Sequence, residues 1–201
     1  MHYTIKETNK SIYEIKKSKF ISLVYYIDDL VAIKKCISEV KKEYPKATHY
    51  CYAYKFNEAE KCSDDNEPSG TAGKMILEAI TLNNMDSILV IVVRYFGKIL
   101  LGSSLLSRTY FACANNLIKS SKQYEIHLMN KYLVTVNYDV FEKFKNYLNI
   151  NNLIVINTKY NDKILIDFLT DKKFKEDFES LFLYKVKIIE KGEEEYFKEV
   201  I

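Results

Sequence analysis

Six consecutive residues, Ile88-Leu89-Val90-Ile91-Val92-Val93, are branched and apolar. A run of this kind fits a central strand buried on both faces. It is the longest apolar run in the chain and falls far short of the ~20 residues needed to span a membrane. Arg94-Tyr95-Phe96-Gly97 ends it. The chain must therefore build a sheet around this segment and find elements to cover both sides.

The flanking sequence supplies them. Ile12–Lys16 and Lys19–Ile27 read as strands, rich in β-branched and aromatic residues. Asp28 or Asp29 caps a helix whose stripe is Leu30, Ile33, Ile37, Val40 and Tyr44, and Pro45 stops it. From Thr48 to Phe56 the alternation is strict: Tyr50, Tyr52, Tyr54 and Phe56 face one way, and His49, Cys51, Ala53 and Lys55 the other. Asn57–Ser69 reads as a polar, acidic loop, and Thr71–Leu82 as a helix. Gly102-Ser103-Ser104 starts another helix, with Leu106, Tyr110, Cys113 and Leu117 on one side. A short strand near Tyr124–Leu128 closes this part.

The pattern then restarts, which sets an expected boundary near Met129-Asn130: a domain of residues 1–129 and a second of residues 130–201. Tyr132, Val134, Val136 and Tyr138 alternate with polar residues. Phe141, Phe144 and Leu148 mark a helix. Leu153–Tyr160 and Lys163–Leu169 form a hairpin around Asn161-Asp162. Asp171 caps a helix bearing Phe174, Phe178 and Phe182, and Val186–Ile189 is a last strand. The order βαββαβ is that of a ferredoxin-like domain. Beyond Gly192 the acidic tail forms a short strand or frays. The fold class read from this pattern is α+β.

Charge and cysteines narrow the function classes. The net charge of +3 over 201 residues does not by itself argue for a nucleic-acid partner. Residues 1–128 hold 18 Lys and Arg against 14 Asp and Glu, and residues 129–201 hold 12 against 13, so an anionic partner prefers the first part. Cys36, Cys51, Cys62 and Cys113 contain no CxxC pair, and no zinc site or other cofactor is expected. The N-terminus has no signal-peptide core, and the expected location is the cytoplasm, with no membrane partner.

Four of the five glycines, Gly70, Gly73, Gly97 and Gly102, fall within 33 residues. Two of them begin helices, at Ser69-Gly70-Thr71 and Gly102-Ser103-Ser104, where free N–H groups and the helix dipole favour an anion. Lys74, Arg94, Lys98 and Arg108 are interspersed, and arginine suits phosphate or carboxylate. The segment is a candidate phosphate-binding cleft comprising Gly70, Thr71, Gly73, Lys74, Arg94, Gly97, Lys98, Gly102, Ser103 and Arg108. Ordinary helix caps and a structural arginine account for the same residues. Gly70-Thr71-Ala72-Gly73-Lys74 is not a P-loop, which needs four residues between its glycines. Asp64, Asp65 and Glu67 suit a divalent metal beside a bound phosphate, or turn and cap chemistry, and the second reading is preferred, with no metal expected. His49 and Cys51 share a strand face but stand roughly 6.6 Å apart at the strand rise, too far for a nucleophile pair.

The stretch Asp64-Asp65-Asn66-Glu67-Pro68-Ser69-Gly70-Thr71-Ala72-Gly73-Lys74 resembles the DDGEPSGTAGKP signature of the IMPACT family, also called YigZ-type proteins. Arg94-Tyr95-Phe96-Gly97, Leu101-Gly102 and Arg108-Thr109-Tyr110 resemble its RYFGG…LG…GGL…RAY segment. Ser18-Lys19-Phe20-Ile21 and the His49, Cys51, Ala53 spacing match earlier family pieces. The chain departs from the pattern at Asn66, Lys98, Ser104 and Leu105, where the family has glycine, and at Met75, where it has proline. The resemblance implies a first domain like the second domain of ribosomal protein S5 and a ferredoxin-like second domain. That pair is similar to domains IV and V of elongation factor G without the GTPase. Eukaryotic members are associated with translational control through the amino-acid-starvation kinase pathway.

The leading expectation is a translation-linked regulator, not an enzyme, that binds RNA or the ribosome through the basic glycine-bearing cleft. The alternatives are an enzyme on a small phosphorylated or nucleotide-like ligand, using His49, Asp64, Asp65 and Glu67, and a module that docks a protein partner.

Overall fold

The computed structural model describes residues 2–174 and 178–200. The chain divides into two compact units, one reaching to Glu125 and including the chain end from Lys198, the other Ile126–Phe197. The class is α+β.

The first unit contains β1 (His2–Thr4), β2 (Asn9–Ile15), β3 (Ser18–Tyr26), α1 (Leu30–Glu43), β4 (His49–Phe56), β5 (Ala59–Ser63), α2 (Gly73–Leu82), β6 (Ile88–Tyr95) and α3 (Ser103–Ser120). Its antiparallel sheet has the order β2-β3-β6-β4-β5. The apolar run forms β6, at the centre, with Val90 opposite Val24 on one side and Ala53 on the other. Ile88, Val90 and Val92 enter a core with Ile76 and Ile80 of α2 and Tyr110 and Leu117 of α3. Leu89, Ile91 and Val93 enter a second core with Ile33 and Val40 of α1. All six are 0% exposed, and burying each such side chain stabilises by about 1.5–3 kcal/mol before entropy is counted. The tyrosine alternation of β4 follows the same division. Tyr50, Tyr52 and Tyr54 pack on the α1 side, Cys51 and Ala53 on the α2–α3 side.

Caps fix where the helices begin. Asp29 accepts the Ala32 N–H at 2.6 Å and starts α1. The second helix begins at Gly73 and not at Thr71, because the Thr71 N–H and hydroxyl both still donate to the Pro68 carbonyl, at 3.0 and 2.6 Å. The acidic stretch expected to be a loop contains β5, which pairs with β4 from Tyr52–Ser63 to Phe56–Ala59. Its charged Glu60 and Lys61 are exposed on the sheet edge, where a strand needs no apolar alternation.

The second unit holds most of β7 (Tyr124–Val136), then α4 (Phe141–Ile150), β8 (Ile154–Tyr160), β9 (Ile164–Thr170) and most of β10 (Val186–Glu199). One strand, β7, replaces the two expected on either side of Met129-Asn130. In the sheet β9 lies between β7 and β8, and β10 pairs with β7. The core joins Val134 and Val136 to Phe144, Leu148, Ile166 and Phe168. Part of the helix expected after Asp171 lies outside the described residues; Phe178–Phe182 is a 3-10 turn that buries Phe178 and Phe182. The tail past Gly192 continues β10 to Glu199. No helix among the described residues is long and apolar enough to cross a membrane.

Gly97 shows how tightly the site end of the sheet is built. Lys16 and Lys17, at φ 43° and 62°, turn the chain between β2 and β3. A Cβ on Gly97 would stand 2.0 Å from the Lys17 carbonyl carbon. Backbone cannot yield as a side chain does, so Gly97→Ala is expected to destabilise the protein by about 3 kcal/mol, measured by urea denaturation.

Candidate functional site

The signature loop closes on itself through Asp64. One carboxylate oxygen accepts the N–H groups of Ala72 and Gly73, at 3.0 and 2.8 Å, and the other accepts that of Gly70 at 2.8 Å. The chain's own anion thus occupies the positive end of α2. Asp65 accepts the Tyr50 N–H at 2.7 Å, and its carbonyl lies 2.9 Å from Nδ1 of His49. Asn66 has φ 67°, a left-handed conformation that asparagine tolerates well in place of the family's glycine. Gly73 leaves room for close backbone approach, since a Cβ there would lie 2.6 Å from the Ser63 backbone. Of the four clustered glycines, Gly73 and Gly97 therefore face the chain itself.

Glu67 and Arg94 form a buried ion pair. The Nη1–Oε1 distance is 2.6 Å, with the Arg94 side chain 5% and the Glu67 side chain 3% exposed. The same carboxylate oxygen accepts the Tyr110 hydroxyl at 2.8 Å, and Nε2 of His49 lies 3.7 Å from the other. Arg94 also donates to Ser18 Oγ at 3.4 Å, and its guanidinium carbon stands 5.3 and 5.4 Å from the ring centres of Phe20 and Phe96. Among the described residues, Arg94 Nε has no hydrogen-bond partner. The single S–H of Cys51 is shared between the Asp64 carbonyl, at 3.0 Å, and the Tyr110 hydroxyl, at 3.3 Å. Burial pushes the Cys51 thiol far above its ordinary range, and the carboxylates of Glu67, Asp65 and Asp64 add to this. Burial, with Cys51 and Glu67 beside it, does the same to the Tyr110 hydroxyl. Neither is a nucleophile at neutral pH.

The structure brings the remaining predicted residues together in part. His49, Glu67 and Arg94 border a cavity of about 300 Å³ whose other walls include Phe96, Leu100, Leu106 and the start of α3 at Gly102 and Ser103. Gly102 takes φ 77°, and among the described residues no side chain caps this helix. Lys98 and Arg108 are exposed, and Arg108 reaches the Ser104 carbonyl at 3.4 Å. Lys98 has φ 62°, which costs a residue with a Cβ roughly 1–2 kcal/mol where the family has glycine. Lys74 is exposed on α2, away from these cavity walls. Among the described residues no group of three or more His, Cys, Asp or Glu side chains is placed to hold a metal ion.

Sequence reasoning placed none of Ser18, Tyr110 and Leu100 among the candidate site residues. Tyr110 had a readable signal: it lies on the inward stripe of α3, and a buried hydroxyl needs a partner.

The thiols test this packing. Cys51 and Cys113 are buried, and Cys62 is exposed. Burial pushes Cys113 up to about 12. A folded-state pKa raised above the unfolded value contributes stability that is present below about pH 9 and lost as pH rises toward 12. Unfolding free energy, measured by denaturant titration, is expected to fall steadily between pH 9 and 11. At pH 8 a thiol-exchange reagent is expected to modify Cys62 at once, and Cys51 and Cys113 only on unfolding.

Comparison with known proteins agrees with the signature. A family model described as the Impact N-terminal domain matches residues 16–118. The IMPACT family member YigZ of Escherichia coli (strain K12) is 30% identical over 158 residues, covering 76% of this chain and 78% of that protein. The IMPACT family member YvyE of Bacillus subtilis (strain 168) is 29% identical over 175 residues, covering 86% and 81%. A crystal structure described as that of an hypothetical protein superposes with a TM-score of 0.64 at 26% identity, covering 94% of this chain and 96% of that one. The model match spans half of the chain and the bacterial relatives span most of it, so this chain belongs to the IMPACT family.

Proposed function

We propose that the protein is a translation-linked regulator that binds RNA, alone or within the ribosome, and catalyses no reaction. The observation that carries this reading is the contrast between two helix starts. Asp64 fills that of α2, whereas that of α3 has no side-chain cap among the described residues and is flanked by exposed Lys98 and Arg108. A phosphate fits a helix N-terminus with cations at its rim. Lys74 adds an exposed charge at the start of α2.

The architecture supports the reading at a coarser level. We take the first unit as the fold of the second domain of ribosomal protein S5. We take the second, with β9 between β7 and β8 and β10 on β7, as ferredoxin-like. Both kinds of domain occur in elongation factor G, in this order. The enzyme reading has less support, since His49, Asp64, Asp65 and Glu67 are all engaged by the chain itself. The role belongs in the cytoplasm and needs no cofactor.

Arg94 holds the interior together, so the test leaves it alone. The protein is sedimented with its host's ribosomal particles across a salt series, beside Lys98→Glu/Arg108→Glu. Co-migration is expected at low salt, with loss on adding salt and a salt slope lower by about 2 in the double variant. Free sedimentation at every salt, or a variant that binds with an unchanged slope, overturns the proposal.

A further inference from the structure

The sheet of the first unit ends on two free edges, β2 and β5. A free edge offers unpaired N–H and C=O groups to another strand, and proteins commonly blunt it. In β5 the charges do so: a second β5 laid antiparallel about its middle residue, Lys61, would set two lysines against each other. In the second unit β8 is an edge strand, and its ladder with β9 is broken by an irregularity between Val155 and Asn157. The edge at β2 differs. It pairs with β3 in unbroken register from Asn9–Val24 to Ile15–Ser18, and its Ile12 and Tyr13 are 56% and 48% exposed.

The turn fixes which backbone groups of β2 face outward. Lys16 and Lys17 are its two loop residues, and both have positive φ, as a type I′ hairpin requires. Such a turn bonds its first residue to its fourth, so Ile15 and Ser18 form a hydrogen-bonded pair. Bonded and non-bonded pairs alternate along an antiparallel ladder. Tyr13–Phe20, Ser11–Ser22 and Asn9–Val24 are therefore the other bonded pairs, and the N–H and C=O groups of Lys10, Ile12 and Glu14 point away from β3. The Lys10 N–H agrees with this direction, since it donates to Oδ1 of Asn9 at 2.8 Å.

The charges on this edge match those of a second copy. Lys10 and Glu14 flank Ile12 symmetrically. On one strand they stand about 13 Å apart at the strand rise, beyond reach of each other, and among the described residues neither is in an ion pair. Across the hairpin Glu14 faces Lys19 and Lys10 faces Leu23. When two β2 strands run antiparallel about a twofold axis at Ile12, each Lys10 stands opposite the partner's Glu14, with Cβ atoms about 5 Å apart. The same register sets outward backbone groups against outward backbone groups, so Ile12 and both Lys10–Glu14 pairs exchange N–H···O=C bonds. The two exposed Ile12 side chains meet at the axis and cover each other. A slip of two residues in either direction sets Lys10 opposite Ile12 or Lys16 and loses both charge pairs. We infer that β2 is the contact of a homodimer in which the sheets of two copies join edge to edge, antiparallel about Ile12. The inference does not require that the protein bind RNA.

Two strands of this length make a small interface, so the dimer is expected to exchange with monomer at micromolar to millimolar concentration. The test is sedimentation equilibrium of the full chain from roughly 5 μM to roughly 1 mM. The mass is expected to rise from 23.7 kDa toward twice that value. Glu14→Lys and Lys10→Glu each set like charges opposite one another at both ends of the contact, and each is expected to weaken association at least tenfold. An equimolar mixture of the two variants again pairs lysine with glutamate at both ends and is expected to regain association, as is the double exchange Lys10→Glu/Glu14→Lys. Ile12→Pro removes an outward N–H at an edge position that proline tolerates. It is expected to abolish association while the circular dichroism spectrum stays native. Monomer at every concentration overturns the inference. So does association that the single variants or Ile12→Pro leave unchanged, or a mixture that associates no better than its components. The test with ribosomes turns on Lys98 and Arg108, which take no part in this contact, so the two readings fail separately.

Discussion

A guanidinium at the end of the central strand sets the terms for this protein. The apolar run of β6 leads into Arg94, and the strand carries that charge into the interior. A buried charge is tolerated only if it is paired and hydrogen-bonded. Glu67 supplies the counter-charge, Tyr110 steadies the same carboxylate oxygen, and Ser18 takes a second guanidinium nitrogen. To bring Glu67 there, the signature loop must fold down over the end of the sheet. Its acidic neighbours are then close to backbone amides that need acceptors, and Asp64 takes those at the start of α2. Much of the family signature is thereby explained as internal framework.

That framework determines what is left for binding. Most polar groups of the loop are turned inward, and two of the glycines around it admit backbone, not ligand. What faces outward is the start of α3, its cationic neighbours and the exposed apolar loop before it. His49, Asp64, Asp65 and Glu67 are each engaged by other groups of the chain, whereas the start of α3 has no side-chain cap among the described residues.

The sequence made β6, α1 and the two-faced alternation of β4 legible, because periodicity reports which side of an element is covered. Edge strands were harder to read. The exposed Glu60 and Lys61 of β5 carry no apolar pattern, and β5 is held by backbone bonds to β4. The unbroken β7 was read as two strands because its alternation weakens near Met129. At the site, the cluster was legible as a segment but not as a set of pairings. Glu67 and Arg94 are 27 residues apart, and nothing local foretells that they meet. Register does: Arg94 stands opposite His49 in the sheet, and Asp65 is tied to both His49 and Tyr50. The aspartates, read as either metal ligands or caps, were ambiguous because both roles use the same carboxylate in the same kind of turn.

The central claim is that the Arg94–Glu67 pair organises this end of the molecule, and a double-mutant cycle tests it most directly. Glu67→Leu, Arg94→Met and the double variant are compared by chemical denaturation of the full chain. Each single change leaves one buried charge unpaired and is predicted to cost about 3–5 kcal/mol. The double change removes both charges and is predicted to cost no more than either alone. Costs that add to within about 0.5 kcal/mol would contradict the account, since the two residues would then stabilise the fold independently.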